Sequence, residues 1–204
     1  MSLESKLGLL ASFSLVAVSI WGAFHSSDPA PPPARIVDPG DHVLLLGDSI
    51  AEGLASPLEH RLALYGSPLV TVAHRGDSIT ALANKAGHDW SAYKVIVLSA
   101  GSNDLPQGAR EGPALRRLLG VLRQQGAMVL WLVPPSFHAE GLTPPQAAVA
   151  DLFHAQGVPL VPIQGPPVRT DLDPMGIHPD PAGYHQLAAQ IADALTTPGR
   201  YVPA

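Results

Sequence analysis

Residues 43–50 read Val-Leu-Leu-Leu-Gly-Asp-Ser-Ile. An apolar run that stops at Gly47-Asp48-Ser49 is the pattern of a buried strand delivering a serine at its carboxyl edge, where open α/β sheets place their chemistry. A serine hydroxyl is a weak nucleophile at neutral pH and needs a neighbouring base, most often histidine. Of nine histidines, His178 alone sits in a Gly/Pro-framed loop, Gly176-Ile177-His178-Pro179, that leads into a helix-like stretch. Between these blocks lies Gly101-Ser102-Asn103-Asp104, again directly after an apolar run. An asparagine N–H aimed into a crevice can bind an oxyanion and contributes about 2.7–4 kcal/mol to such a transition state. Arg75-Gly76-Asp77-Ser78 occupies the corresponding place after the second apolar run, where Gly76 could offer a backbone N–H and leave room for a substrate. Each block also has a plain structural reading. Ser49 suits a helix N-cap, Gly-Ser-Asn-Asp suits a strand-to-helix turn, and His178 suits a solvated loop.

The elements that must position these groups are legible in the apolar rhythm. Val43–Leu46, Leu69–Ala73, Val95–Ser99, Met128–Val133 and Val158–Val161 are short runs rich in Val, Leu and Ile. Helical segments lie between and after them: Glu52–Tyr65, Ile79–Ala86, Gly112–Gln125, Pro145–Gln156 and Pro181–Leu195. Leu115, Leu118, Leu119 and Leu122 recur at three- and four-residue spacing with arginines between them, as in an amphipathic helix covering a sheet. Strands apolar throughout, alternating with helices, predict a parallel sheet covered on both faces. The expected fold is an α/β/α sandwich with a flavodoxin-like five-stranded sheet of order 2-1-3-4-5.

The chain has 204 residues and no cysteine, which excludes disulfides, thiolate metal sites and a cysteine nucleophile. The formal charge is −5, and there is no basic block of the kind that grips nucleic acid. The histidines show no metal-binding spacing such as His-Glu-x-x-His. Leu7 to Phe24 runs 18 residues without a charge; as a helix it spans about 27 Å, enough for a bilayer's hydrocarbon. Lys6 before it and Asp28 after it favour a cytoplasmic N-terminus and an exported body. Residues 1–25 are expected to be a signal anchor, with a cleaved signal peptide as the alternative. Residues 26–40, which include Pro29-Ala30-Pro31-Pro32-Pro33, read as a stiff linker, and residues 41–204 as the domain. The expected location is therefore a membrane-anchored exported domain, or a secreted one if the signal is cleaved.

Taken together, Gly47-Asp48-Ser49-Ile50, a glycine after the second strand, Gly101-Ser102-Asn103-Asp104 and Gly176-Ile177-His178-Pro179 resemble the blocks of the SGNH (GDSL-like) hydrolases, in the same order and over roughly residues 42–196. The resemblance implies Ser49 as nucleophile and His178 as base. It implies an oxyanion hole from the Ser49 backbone N–H, Gly76 and Asn103, and no metal or organic cofactor. One departure stands out. The family usually carries Asp three residues before the histidine, and here that position is Met175. Asp173 is the preferred substitute, Asp171 another; a Ser-His dyad steadied by a backbone carbonyl and an impaired site are the alternatives. Asp48, Ser102 and Phe137 are assigned to the substrate pocket, and Trp90 is a candidate for the same crevice. The implied reaction is carboxylic-ester hydrolysis through an acyl-enzyme, with small O-acetyl groups on envelope or extracellular glycans favoured. Lysophospholipid esters, thioesters, acyl transfer, and a non-catalytic membrane-tethered binding domain are the other readings. The partners expected are a small-molecule or glycan ester and, through the N-terminal helix, a membrane.

Overall fold

A computed structural model describes residues 35–106, 108–138, 142–163 and 177–199. Four five-residue strands, β1 (Val43–Gly47), β2 (Leu69–Ala73), β3 (Val95–Ser99) and β4 (Met128–Leu132), form a parallel sheet of order β2-β1-β3-β4. Five α-helices accompany them among the described residues: α1 (Ser49–Tyr65), α2 (Ile79–Lys85), α3 (Gly112–Gln124), α4 (Pro144–Ala155) and α5 (Pro181–Thr196). β1 and β3 are buried along their whole length, which is why they read as unbroken apolar runs.

Two cores flank the sheet. On one side Leu44, Leu46, Ile96 and Leu98 pack with Leu115, Leu118, Leu119 and Leu122 of α3 and with Val149 and Phe153 of α4. Trp131 and Phe153 stack there with ring centroids 4.1 Å apart. On the other side Val43, Leu45, Val95 and Val97 pack with Leu54, Leu58 and Leu62 of α1 and with Leu187 and Ile191 of α5. Alternate residues of one strand thus feed opposite layers, as the pleat requires.

The expected fifth strand is reduced to one parallel bridge, Leu160 beside Trp131. The Trp131 N–H donates to the Pro159 carbonyl and the Val161 N–H to the Trp131 carbonyl. Pro159 has no N–H to extend the ladder towards Val129, and the Ile163 N–H, which would extend it the other way, donates instead to the Val161 carbonyl at 2.8 Å, so the run at 158–161 stays a bridge. The order expected for the other four strands is the order found.

The strands end in step: Gly47 pairs with Ala73 on one side and with Ser99 on the other, and Ser99 with Leu132. Every loop that follows a strand therefore emerges at one rim. Opposite that rim, packing begins before Asp41. Ile36 and Val37 are buried, the Val37 N–H donates to the Leu195 carbonyl at the end of α5, and the Gly40 N–H donates to the Gly66 carbonyl at the end of α1. All described residues fall within the compact unit Ala34–Ala204. Among them no helix is long and apolar enough to cross a membrane, and the apolar run 7–24 lies outside them.

Candidate active site

Gly47 ends β1 where a side chain has no room. A Cβ there would stand 2.8 Å from the Ser99 Cβ and closer still to the Ser99 carbonyl. The chain then turns, and Asp48 caps α1: its Oδ1 accepts the Ile50 N–H at 3.0 Å. Ser49, not the cap itself, becomes the first residue of the helix, 7% exposed. Its position at a helix N-terminus favours negative charge on or near its oxygen. From the other end of the chain, His178 precedes α5, whose cap is Asp180. Ser49 Oγ and His178 Nε2 stand 2.7 Å apart, within hydrogen-bond distance, although 129 residues separate them.

The second and third loops meet beside this pair. Gly76 is exposed with φ +84°, and the space where a Cβ would lie is open. Asn103 lies in a single 3-10 turn, Ser102–Asp104, entered through Gly101 at φ +119°. Its Nδ2 donates to the Asp77 carbonyl at 3.0 Å and reaches Asp48 Oδ2 at 3.5 Å, the outer limit for such a bond. Asp48 is completely buried and also accepts the Ser99 hydroxyl at 3.1 Å. Burial raises its pKa, while the Ile50 N–H and the Ser99 hydroxyl pull the other way.

The sequence model of the GDSL-like Lipase/Acylhydrolase family matches residues 45–186, a span that contains Ser49, Gly76, Asn103 and His178. The chain belongs to this family. With membership comes its class, an SGNH-type ester hydrolase. Solved structures share the fold at low identity. The acetyl xylan esterase AlAXEase is 17% identical with a TM-score of 0.58, over 76% of this chain and 99% of that one. TesA is 23% identical with a TM-score of 0.58, over 76% and 98%. A variant of an acetyl xylan esterase from Geobacillus stearothermophilus is 14% identical with a TM-score of 0.56, over 82% and 98%. No curated protein sequence matches.

In this hydrolase the residues assigned to a substrate pocket are buried, as Ser49 itself is. Asp48 is 0% exposed, with its carboxylate engaged by the cap and by Ser99, so it is a structural hub under the site. Ser102 is buried, and its hydroxyl has no partner. Phe137 is buried edge-on against Trp131, with ring centroids 6.4 Å apart, and Trp90 is likewise in the core. These aromatic rings serve packing. Asp171, Asp173 and Met175 lie outside the described residues. Among the described residues no cluster of three or more His, Asp or Glu could hold a metal. A cavity of about 380 Å³ bounded by Glu59, Ala63, Ser67 and Leu69 sits at the far end of α1, away from Ser49.

Sequence reasoning missed Asp104 and Ser99 as members of the hydrolase's site. Asp104 is fully buried; its Oδ1 accepts the Ile79 N–H at 2.9 Å, and its Oδ2 has no partner. It thereby ties the Gly76 loop to the Asn103 loop. Burial pushes its pKa up to about 6, and the negative charges of Glu111 and Asp48 push the same way. A raised carboxyl pKa means that folding favours the protonated acid. The associated stability is present below about pH 4 and is lost as pH rises through about 6. Asp104→Asn keeps an acceptor for Ile79 and removes the buried charge. It is expected to be more stable than the parent at pH 8 by up to about 3 kcal/mol and nearly equal at pH 4. Urea unfolding at the two pH values checks this; parallel curves would remove Asp104 from the account.

Proposed function

We propose that this hydrolase is a serine esterase in which Ser49 is the nucleophile and His178 the general base. The observation that carries the proposal is the 2.7 Å contact between Ser49 Oγ and His178 Nε2 at the rim where the strand-end loops converge. His178 Nε2 takes the hydroxyl proton as Oγ attacks the ester carbonyl carbon. The oxyanion formed is held by the Ser49 and Gly76 backbone N–H groups and by Asn103 Nδ2. The long Asn103–Asp48 contact is the one an oxyanion would displace, since the bond to the Asp77 carbonyl is short. The intermediate collapses, His178 returns the proton to the leaving alcohol oxygen, and an acyl-Ser49 remains. Water, deprotonated by His178, then releases the acid and restores the serine. Asp173 is our choice to orient the imidazole, with Asp171 as the other candidate.

The substrate we favour is a small acyl ester, O-acetyl on an envelope or extracellular glycan, acted on by a domain exported behind the N-terminal apolar segment. Three features support this choice. Phe137 and Trp90 are spent in the core and give no aromatic wall for a long acyl chain. Three of the five exposed large apolar side chains among the described residues, Leu64, Val70 and Met128, lie towards the end of the sheet away from Ser49. Two structures of the same fold are acetyl xylan esterases, an analogy of fold. The test compares p-nitrophenyl acetate with the octanoate and palmitate esters and measures acetate release from acetylated xylan. Labelling with a fluorophosphonate should place the adduct on Ser49. A higher kcat/KM for palmitate than for acetate would overturn the small-acyl reading, and an adduct on another serine would overturn the nucleophile.

A further inference from the structure

The contact between Ser49 and His178 depends on how two helices lie against each other. α1 and α5 both start at the rim, run the same way, and share one core through Leu54, Leu58, Leu62, Leu187, Ala188 and Ile191. Ser49 opens the first, and His178 stands just before the second. On α1, Gly53 follows Ser49 by four residues and so lies on the same helix face, one turn down. A Cβ on Gly53 would stand 2.6 and 2.7 Å from Cε1 and Cε2 of Tyr184, and nearer still to Cζ. The end of the Tyr184 ring therefore sits on the bare backbone of α1. Gly53 has an ordinary helical φ, so what requires glycine here is space, not conformation. Pro57, four residues on, has no N–H to give to the Gly53 carbonyl, so this turn lacks its usual helical bond.

Tyr184 is tied closely to the histidine. Its N–H donates to the Asp180 carbonyl at 2.9 Å, and Asp180 Oδ1 accepts the Gly183 N–H at 2.6 Å. Pro179 is buried, and Pro181 has φ set by its ring. Asp180 through Tyr184 is thus a cross-braced first turn, and the buried Pro179 alone joins it to His178, a short route by which a moved ring would move the imidazole. We propose that the seat of Tyr184 on Gly53 sets the spacing between Ser49 Oγ and His178 Nε2, which makes both of them positioning residues for the proton transfer. This rests on the catalytic reading above. It adds two residues that the four sequence blocks do not explain by chemistry.

The test is a double-mutant cycle in the full chain: Gly53→Ala, Tyr184→Ala, and the two together. Misplacement of reacting groups by about 1 Å can cost about 100-fold. Gly53→Ala is expected to lower kcat on p-nitrophenyl acetate by about 10–100-fold with KM changed less than about threefold. Adding Tyr184→Ala removes the clash and should restore kcat to within about threefold of Tyr184→Ala alone. The ¹⁵N signal of His178 Nε2, which reports its bond to Ser49, should shift in Gly53→Ala and return in the double variant. If Gly53→Ala does not fold, Tyr184→Phe, which keeps the ring, should hold kcat within about threefold, whereas Tyr184→Leu should lose about tenfold. Independent, multiplicative effects of the two alanines would overturn the proposal. So would an unmoved His178 signal, or equal kcat for the Phe and Leu variants. Ser49→Ala is run beside them: turnover surviving in it counts against the esterase reading, while the histidine signal judges the seat separately.

Discussion

Replacing Ser49 with alanine is expected to lower kcat for p-nitrophenyl acetate by about 10⁴- to 10⁶-fold, because the acyl-enzyme route then has no nucleophile. His178→Ala should fall by a similar factor, and the double variant should be little worse than either, since the two groups act as one unit. Stability should barely change in Ser49→Ala. The bond that caps α1 is donated by the Ile50 N–H to Asp48 Oδ1, and the serine hydroxyl is not part of it. Melting temperature and far-UV circular dichroism of the variant establish this. More than about 1% residual turnover in a folded Ser49→Ala would sink the proposed mechanism.

Asn103→Ala is the second large effect. The proposed oxyanion exists only in the transition state, so loss of one donor should lower kcat by about 10²- to 10³-fold and leave KM nearly unchanged. The same side chain also joins two loops through the Asp77 carbonyl, so part of the loss could come from loop slippage. Steady-state kinetics separate the two sources. Slippage alters substrate binding and so raises KM, whereas a missing oxyanion donor acts on kcat. A raised KM with unchanged kcat would remove Asn103 from the oxyanion hole.

Much of this was legible in the chain itself, for physical reasons that also mark its limits. β1 and β3 are buried on both faces and declare themselves as Val43–Leu46 and Val95–Leu98. The order of four strands and the meeting of Ser49 with His178 follow from βα units that place every strand-end loop at one rim. The fifth strand misled because its apolar composition is right while Pro159 withholds one donor and the Ile163 N–H turns back to Val161. The pocket assignments rested on sequence neighbourhood alone. Adjacency to Ser49 in sequence places Asp48 near the chemistry but does not say which way its carboxylate turns, and it turns inward to Ser99. Ser99 itself carried a signal: it is a polar residue ending a run that is otherwise apolar and fully buried. Asp104 carried less, because an acidic residue in a turn usually faces water. The contact of Tyr184 with Gly53 joins residues more than 130 positions apart and depends on helix packing that no local pattern reports.

The placement of residues 35–42 has a practical consequence. They lie where β1 begins, beside the ends of α1 and α5, whereas the serine lies where β1 stops. Five residues of strand, about 17 Å, separate the two levels. A bead or chip surface coupled at residue 35 would hold the body by its base, at the end of the sheet opposite the rim where Ser49 meets His178.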